Sequence, residues 1–238
     1  MTRLLFREDA YLRGAETRVA ALTETGAVVP EASVFYPTGG GQPGDTGVIV
    51  WDGGQAEVVE TIKHGDGVAL VLTEGTAPPP VGASLGMTLD WTRRHAHMRV
   101  HTALHLLSVV IPLPVSGGAI AADKGRLDFD MPDAPEDKQA LEDALNALIA
   151  RDLPVTEDWI TDDELAANPG LVKTMSVMPP TGQGRVRLVR IGAGPDQVDL
   201  QPCGGTHVAR TGEIGPVRLG KIEKKGRQNR RVTVLLGD

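Results

Sequence analysis

The sequence predicts an α+β protein in two parts: a glycine-rich, β-barrel-like domain over residues 1–90, then an α+β domain over residues 91–238 with an antiparallel sheet flanked by helices. Three observations predict it. Residues 2–76 carry short β-type segments broken at regular intervals by Gly, Asp and Pro. A Pro/Gly-rich connection, "GTAPPPVGASLG" (75–86), ends that pattern. Beyond it the hydrophobic period changes to that of a helix, and strands then alternate with helices.

In the first part the expected strands are "TRVAALTETGAVV", "SVFYP", "GVIVW", "AEVVETI" and "GVALVL". Their β-branched residues suit a pleated, half-buried surface. Over residues 91–111, Met98, Ala103, Leu104, Leu107 and Val110, with no Gly or Pro between them, predict a helix that Pro112 ends. "GAIAADKGRLDFDM" reads as a hairpin or strand pair. "PEDKQALEDALNALIARD" is an amphipathic helix with Pro135 near its start and Leu141, Leu145 and Leu148 on one face. Thr161 and Glu164 have the spacing of a capping box, and "RVRLVRI", "GPVRLGKIEK" and "RRVTVLLG" read as strands.

The single cysteine in 238 residues excludes an internal disulfide, so this is not a small secreted domain stapled by bridges. Charges interrupt "MTRLLFREDAYLRG" before any signal-type apolar run develops. The longest apolar run, "ALHLLSVVIPLPV", is too short to span a bilayer and contains Pro112 and Pro114. A soluble, cytoplasmic protein with no membrane partner is expected.

The net charge of −7 argues at first against a nucleic-acid partner, but its distribution does not. Residues 1–90 hold 5 basic and 12 acidic side chains, whereas residues 91–238 hold 19 of each. Within the balanced part, "VRLGKIEKKGRQNRR" (217–231) has seven basic residues against one acidic. Lys221, Lys224, Lys225, Arg227, Arg230 and Arg231 are therefore candidates for polyanion binding, although charge alone describes a solvated strand face equally well.

The chemistry concentrates elsewhere. "HAHMRVHTALH" places His95, His97, His101 and His105 on one helix, and residues four apart share a face one turn along. His97 with His101, or His101 with His105, can thus direct two imidazoles at one point, and periodicity does not choose between them. Thr102 follows His101 where a metalloprotease would carry its glutamate, so this is not the zincin motif. A second pair, Cys203 and His207 in "QPCGGTHVAR", supplies further metal-binding donors, with Gly204 and Gly205 letting the chain turn tightly between them. Separately, each pair reads as readily as buried polar and small apolar residues. Together they hold the only cysteine and most of the six histidines, which favours one shared metal site.

"RVHTALHLL" with "CGGTHVARTGEIG" resembles the paired HxxxH and CxxxH motifs of the editing domain of alanyl-tRNA synthetases. "FYPTGGGQPGDTG" (35–47) is similar to the glycine-rich segment that precedes that domain, and "GKIEKKGRQNRRV" to its C-terminal strands. With no aminoacylation domain in 238 residues, the chain most resembles the free-standing alanyl-tRNA editing proteins of the AlaX type, over residues 35–231. The resemblance implies zinc as cofactor and His101, His105, Cys203 and His207 as its ligands, leaving His95 and His97 outside the set.

It further implies a hydrolase acting in trans on mischarged tRNA(Ala), releasing serine, and in some members glycine, from the 3′-terminal ester. Such an ester is already activated, so the site must position water and stabilise an oxyanion. Sparing alanine asks for a polar group near the metal that hydrogen-bonds the serine hydroxyl. Thr102 and Ser116 are the candidates; synthetase editing domains often carry Gln just after the position resembling Ser116, where this chain has Gly117. The segment "TGGGQPGDTG" lacks the ending of a phosphate loop and reads as a tight turn, with Gln42 and Asp45 as candidates to face the second domain. The basic run is expected to contact the acceptor stem. The alternative reading is a zinc-stabilised RNA-binding module without catalysis. Ser-tRNA(Thr) as substrate ranks below both, because the glycine-rich segment is typical of the alanyl branch.

Overall fold

The computed structural model describes residues 2–175 and 184–237. The chain divides into two compact units, Met1–His95 and Ala96–Asp238.

The first unit contains β1 (Arg3–Leu4), β2 (Gly14–Leu22), β3 (Val28–Pro30), β4 (Ala32–Ser33), β5 (Gly47–Trp51), β6 (Gly54–His64), β7 (Gly67–Leu72) and β8 (Ser84–Leu89). Strands β2, β3, β7, β6, β5 and β8 close in that order into a barrel. Closure leaves none of these strands with an unpaired edge. Its interior is filled by Val19, Val28, Ile49, Val58, Leu70 and Leu85. The hairpin from β5 to β6 follows directly from "GVIVW" and "AEVVETI", whose alternate residues point inward.

In this unit three segments differ from the sequence expectation. "TRVAALTETGAVV" is not one strand: it turns at residues 23–27, where Thr23 N–H donates to Ala27 O, and its two halves pair antiparallel as β2 and β3. Strand β8 overlaps the end of the Pro/Gly-rich connection and continues to Leu89, with Leu85, Met87 and Leu89 buried on alternate positions. "SVFYP" contributes only its first residue to a strand. Val34, Phe35 and Tyr36 are buried, but side chains take part of the hydrogen bonding a ladder would supply: Phe35 N–H donates to Ser33 Oγ (3.1 Å), and Tyr36 N–H to Asp45 Oδ2 (2.6 Å).

The glycine-rich segment makes the tight turn its composition predicts. Gly40 and Gly41 have φ of 60° and 83°, and Gly39 and Gln42 exchange backbone hydrogen bonds of 3.0 Å around them.

Helix α1 (Trp91–Val110) is capped by Asp90, whose Oδ1 accepts from Arg93 N–H (3.1 Å). The division into units falls within this helix, after His95, rather than ahead of it. In its first-unit part, the wholly buried Arg94 is bound to Asp45, which is equally buried, at 2.5 Å. It also donates to the carbonyls of Ala10 (2.9 Å) and Val34 (2.5 Å). One guanidinium thus ties three separate stretches of the first unit to the helix.

The second unit contains the rest of α1, β9 (Val115–Ile120), β10 (Lys124–Asp130), α2 (Lys138–Ala150), β11 (Val155–Ile160), α3 (Asp162–Ala167), β12 (Val186–Ile191), β13 (Asp199–Pro202), β14 (Val217–Leu219), β15 (Glu223–Lys224) and β16 (Asn229–Leu236). One antiparallel sheet runs β14-β16-β10-β9, with β15 also on β16; a second runs β11-β12-β13. "GPVRLGKIEK", expected as one strand, is interrupted at residues 220–222 and contributes the two short strands β14 and β15. Helix α1 approaches β10 closely at Gly125, where a Cβ would come within 2.5 Å of Val100 and 3.0 Å of Leu104. Helix α2 starts at Lys138, beyond Pro135, because Asp137 accepts from Ala140 N–H and caps it; Leu145 and Ile149 are its buried residues. The capping box of Thr161 and Glu164 forms as expected. Among the described residues no helix is long and apolar enough to cross a membrane.

Candidate metal centre

His101 and His105 lie one turn apart on the face of α1 that meets the segment following β13, where Cys203 and His207 sit. One donor atom from each of the four comes within 4.8 Å of all the others. Cys203 Sγ stands 3.5 Å from His101 Nε2 and 3.3 Å from His207 Nε2. The imidazole rings crowd together, with centroids 4.2 Å apart for His101 and His207 and 4.5 Å for His105 and His207. Of the two histidine pairs that spacing allowed, the structure assembles His101 with His105. His95 instead stacks on Trp91 at 5.3 Å, and His97 is buried outside the cluster.

The other nitrogens of two of these rings are held by buried partners. Thr102 Oγ1 has one hydrogen, donated to Met98 O (3.0 Å) as in many helices, so towards His207 Nδ1 (3.1 Å) and Val208 N–H (3.3 Å) it accepts. His207 therefore carries its proton on Nδ1 and presents a lone pair on Nε2. His105 Nδ1 faces Asp199 Oδ2 at 3.1 Å, which again leaves Nε2 for the centre. Asp199 is itself held by Gln201 Nε2 (2.8 Å) and Lys173 Nζ (2.5 Å).

Electrostatics follow from this packing. Burial opposes a charge on His105, but its hydrogen bonds to Asp199 and Cys203 raise its pKa to about 9. Burial likewise works against ionised Asp199, yet His105 and Lys173 bring it down to about 2. Cys203 is driven well below the ordinary thiol value because, against burial, His101 and His207 favour the thiolate. Burial and the neighbouring His101 push His207 well below the ordinary imidazole value, keeping it neutral. A thiolate and neutral imidazoles are the forms that bind metal ions, so Cys203 and His207 are ready for one, whereas His105 must first give up its proton.

The remaining candidates are placed as follows. Ser116, on β9, has its hydroxyl within 3.0 Å of Asp128 O and 2.9 Å of Asn229 Oδ1, two alternative acceptors for its one hydrogen within its own sheet. Gln42 is buried in the first unit, where Asp45 binds Arg94. Lys221, Lys224 and Arg227 are exposed around β15, and Lys225 pairs with Glu223 at 2.7 Å. Arg230 is buried and bonded to the carbonyl of Pro132, while Arg231 grips Asp128 at 2.7 Å. The expected basic stripe therefore separates into side chains facing solvent and side chains engaged inside the fold.

Sequence reasoning missed Asp199, Gln201, Lys173 and Arg187. Asp199 and Gln201 carried a signal: they occupy alternate positions of β13, on one face of it, and lie four and two residues before Cys203 in the segment that follows. The two glycines act otherwise than expected, since neither Gly204 nor Gly205 has positive φ. Arg187 Nη1 instead holds the turn, donating to Cys203 O (2.8 Å) and Gly205 O (2.9 Å).

Comparison with known proteins places this constellation in context. Residues 186–233 match the model of the threonyl and alanyl tRNA synthetase second additional domain. An alanyl-tRNA editing protein AlaX-M from Methanosarcina acetivorans is 33% identical, covering 100% of this chain and 100% of its own. One from Methanosarcina mazei is also 33% identical, over 100% of this chain and 98% of its own. An alanine–tRNA ligase from Pyrobaculum arsenaticum is 35% identical across 94% of this chain, which spans 25% of the ligase.

Proposed function

The chain belongs to the family of the alanyl-tRNA editing proteins AlaX-M, and on that footing we propose that it hydrolyses the ester of mischarged tRNA(Ala) in trans, with Ser-tRNA(Ala) as principal substrate and Gly-tRNA(Ala) as a second. The observation that carries the reading is the convergence of His101, His105, Cys203 and His207 in a chain similar along its whole length to AlaX-M.

The donor set suits zinc. A tetrahedral zinc with bonds of about 2.0–2.3 Å keeps its donors roughly 3.3–3.8 Å apart. The Cys203 contacts of 3.3 and 3.5 Å fall in that range. When bound, zinc supplies a positive charge that polarises a carbonyl and favours ionisation of nearby water. Asp199 and Thr102 fix which nitrogens of His105 and His207 face the ion, so these rings are aligned before it binds.

Four protein donors complete a tetrahedron. Contacts to the ester carbonyl then fall to groups of the chain beside the ligands. The exposed Lys221, Lys224 and Arg227 suit the phosphates of the acceptor stem, where a compact RNA duplex offers backbone rather than base edges.

The test incubates the protein with Ser-tRNA(Ala), Gly-tRNA(Ala), Ala-tRNA(Ala) and Ser-tRNA(Thr) and follows ester loss. The serine ester should disappear fastest and the alanine ester persist. Persistence of every ester on a zinc-loaded protein would leave a purely RNA-binding module; hydrolysis confined to Ser-tRNA(Thr) would move the specificity to the threonyl branch.

A further inference from the structure

Arg187, on β12 and buried, holds the turn at 203–205 from one side. Its Nη1 donates to the carbonyl oxygens of Cys203 (2.8 Å) and Gly205 (2.9 Å). Its own carbonyl accepts from Cys203 N–H (3.1 Å), and its Nη2 pairs with Glu157. The first and last carbonyls of the turn are therefore drawn towards one guanidinium.

A trans peptide sets its C=O and N–H on opposite sides, and no described peptide bond is cis. With Cys203 C=O on Arg187, the N–H of Gly204 points the other way. It donates to no acceptor among the described residues. Gly204 is partly exposed, its φ is not positive, and a Cβ built on it would meet nothing within 4 Å. The usual reasons for glycine in a fold, a left-handed backbone or a close approach, are both absent here. What remains is open space beside a free backbone donor, one residue from the Cys203 sulfur.

We propose that the substrate ester lies over Gly204, that the Gly204 N–H donates to its carbonyl oxygen, and that Arg187 is the positioning residue that turns this N–H outward. The inference rests on the hydrolase reading above. As a water oxygen bonds to the carbonyl carbon, the carbonyl π pair moves onto oxygen and is met by the N–H. When the pair returns, the bond to the ribose oxygen breaks. The ribose oxygen takes a proton from the water, and the amino acid leaves with the water oxygen in its carboxyl group. A fixed backbone donor that strengthens its bond as charge develops lowers the barrier without reorganising.

The experiment replaces Gly204 by glycolic acid, using cell-free translation with a chemically charged suppressor tRNA, so that the N–H becomes an oxygen. The expected result is a kcat on Ser-tRNA(Ala) lower by about 10²–10³-fold. Zinc content and the absorption spectrum of the Co(II)-loaded protein should be unchanged. Gly204→Ala, which adds a methyl to the open space, should raise KM by about tenfold or more with the same zinc content and melting temperature. Arg187→Lys should lower kcat per bound zinc; a loss of zinc with unchanged kcat per bound zinc would make Arg187 merely structural and overturn its part. Unchanged kcat in the glycolic acid protein, or unchanged KM in Gly204→Ala, would overturn the rest. A wild type inert towards every aminoacyl-tRNA(Ala) would remove the hydrolase reading and this proposal together; an active wild type with unimpaired variants removes the proposal alone.

Discussion

Asp199 Oδ2 lies 3.1 Å from His105 Nδ1, and this contact determines that Nε2 of His105 is the nitrogen facing Cys203 and the other histidines. Lys173 and Gln201 hold the carboxylate from its other sides, so the orientation is fixed by a network and not by one bond.

Removing that carboxylate should loosen the metal rather than the fold alone. Asp199→Ala is expected to weaken zinc binding by about 10–100-fold, as removal of a ligand's buried partner does in other zinc sites. Competition with a chromophoric chelator measures it. Unchanged affinity would separate Asp199 from the centre.

The pH dependence follows from the same contact. With its pKa raised to about 9, metal-free His105 holds a proton at pH 7 that zinc must displace. Zinc affinity should therefore climb as pH rises towards 9 and level off above it, with proton release visible by calorimetry in two buffers. Stability of the metal-free protein should respond at both ends. The raised pKa of His105 contributes stability that is complete below its unfolded value of about 6.5 and is lost as pH rises through about 9. The lowered pKa of Asp199 contributes stability present above about 3.9 and lost as pH falls towards about 2. The difference between wild type and Asp199→Ala isolates this pair: in chelator-treated protein the gap in melting temperature should be widest between about pH 4 and 6.5 and shrink on either side. A gap that stays constant from neutral to alkaline pH would contradict the coupling.

In the first unit, Asp45→Ala should destabilise the protein by about 3–5 kcal/mol, because it strands the guanidinium of Arg94 in the interior. Replacing both, Arg94→Met with Asp45→Leu, should cost less than the single change. Urea unfolding followed by circular dichroism distinguishes these. Equal costs would mean that the pair is not the element tying these segments to the helix.

The basic side chains should fall into two classes. Neutralising Lys221, Lys224 and Arg227 is expected to weaken tRNA binding and to flatten its salt dependence, by roughly 0.9 in slope for each duplex phosphate that is no longer neutralised. Changing Arg231, which grips Asp128, should instead lower the melting temperature. A salt slope unmoved by the triple change would take β15 out of the interface.

Much of this was legible in the chain. Alternation announced the barrel strands, and the two spaced pairs announced the metal donors, because covalent spacing on a helix or along a turn already limits where side chains go. What escaped was set by interactions distant in sequence. The strand expected at "SVFYP" is mostly absent because Arg94, some 60 residues away, and Asp45 satisfy its backbone. Arg230 and Arg231 look like surface charge in the sequence, yet β16 pairs with β10 and brings Arg231 beside Asp128. Gly204 and Gly205 suggested backbone freedom, whereas the turn is shaped by Arg187 from a neighbouring strand. Strand β8 is the exception: its alternating Leu85, Met87 and Leu89 were visible and were masked by the prolines before them.

The central claim, that these four residues hold the zinc on which ester hydrolysis depends, is tested most directly by reconstitution. Protein stripped by chelator is titrated with zinc while deacylation of Ser-tRNA(Ala) is followed, alongside Cys203→Ala. The account predicts activity that returns in proportion to bound zinc and stops rising at one ion per chain, with the variant recovering neither metal nor activity. Full hydrolysis by the stripped protein, or a zinc-loaded wild type that leaves the serine ester intact, would contradict it.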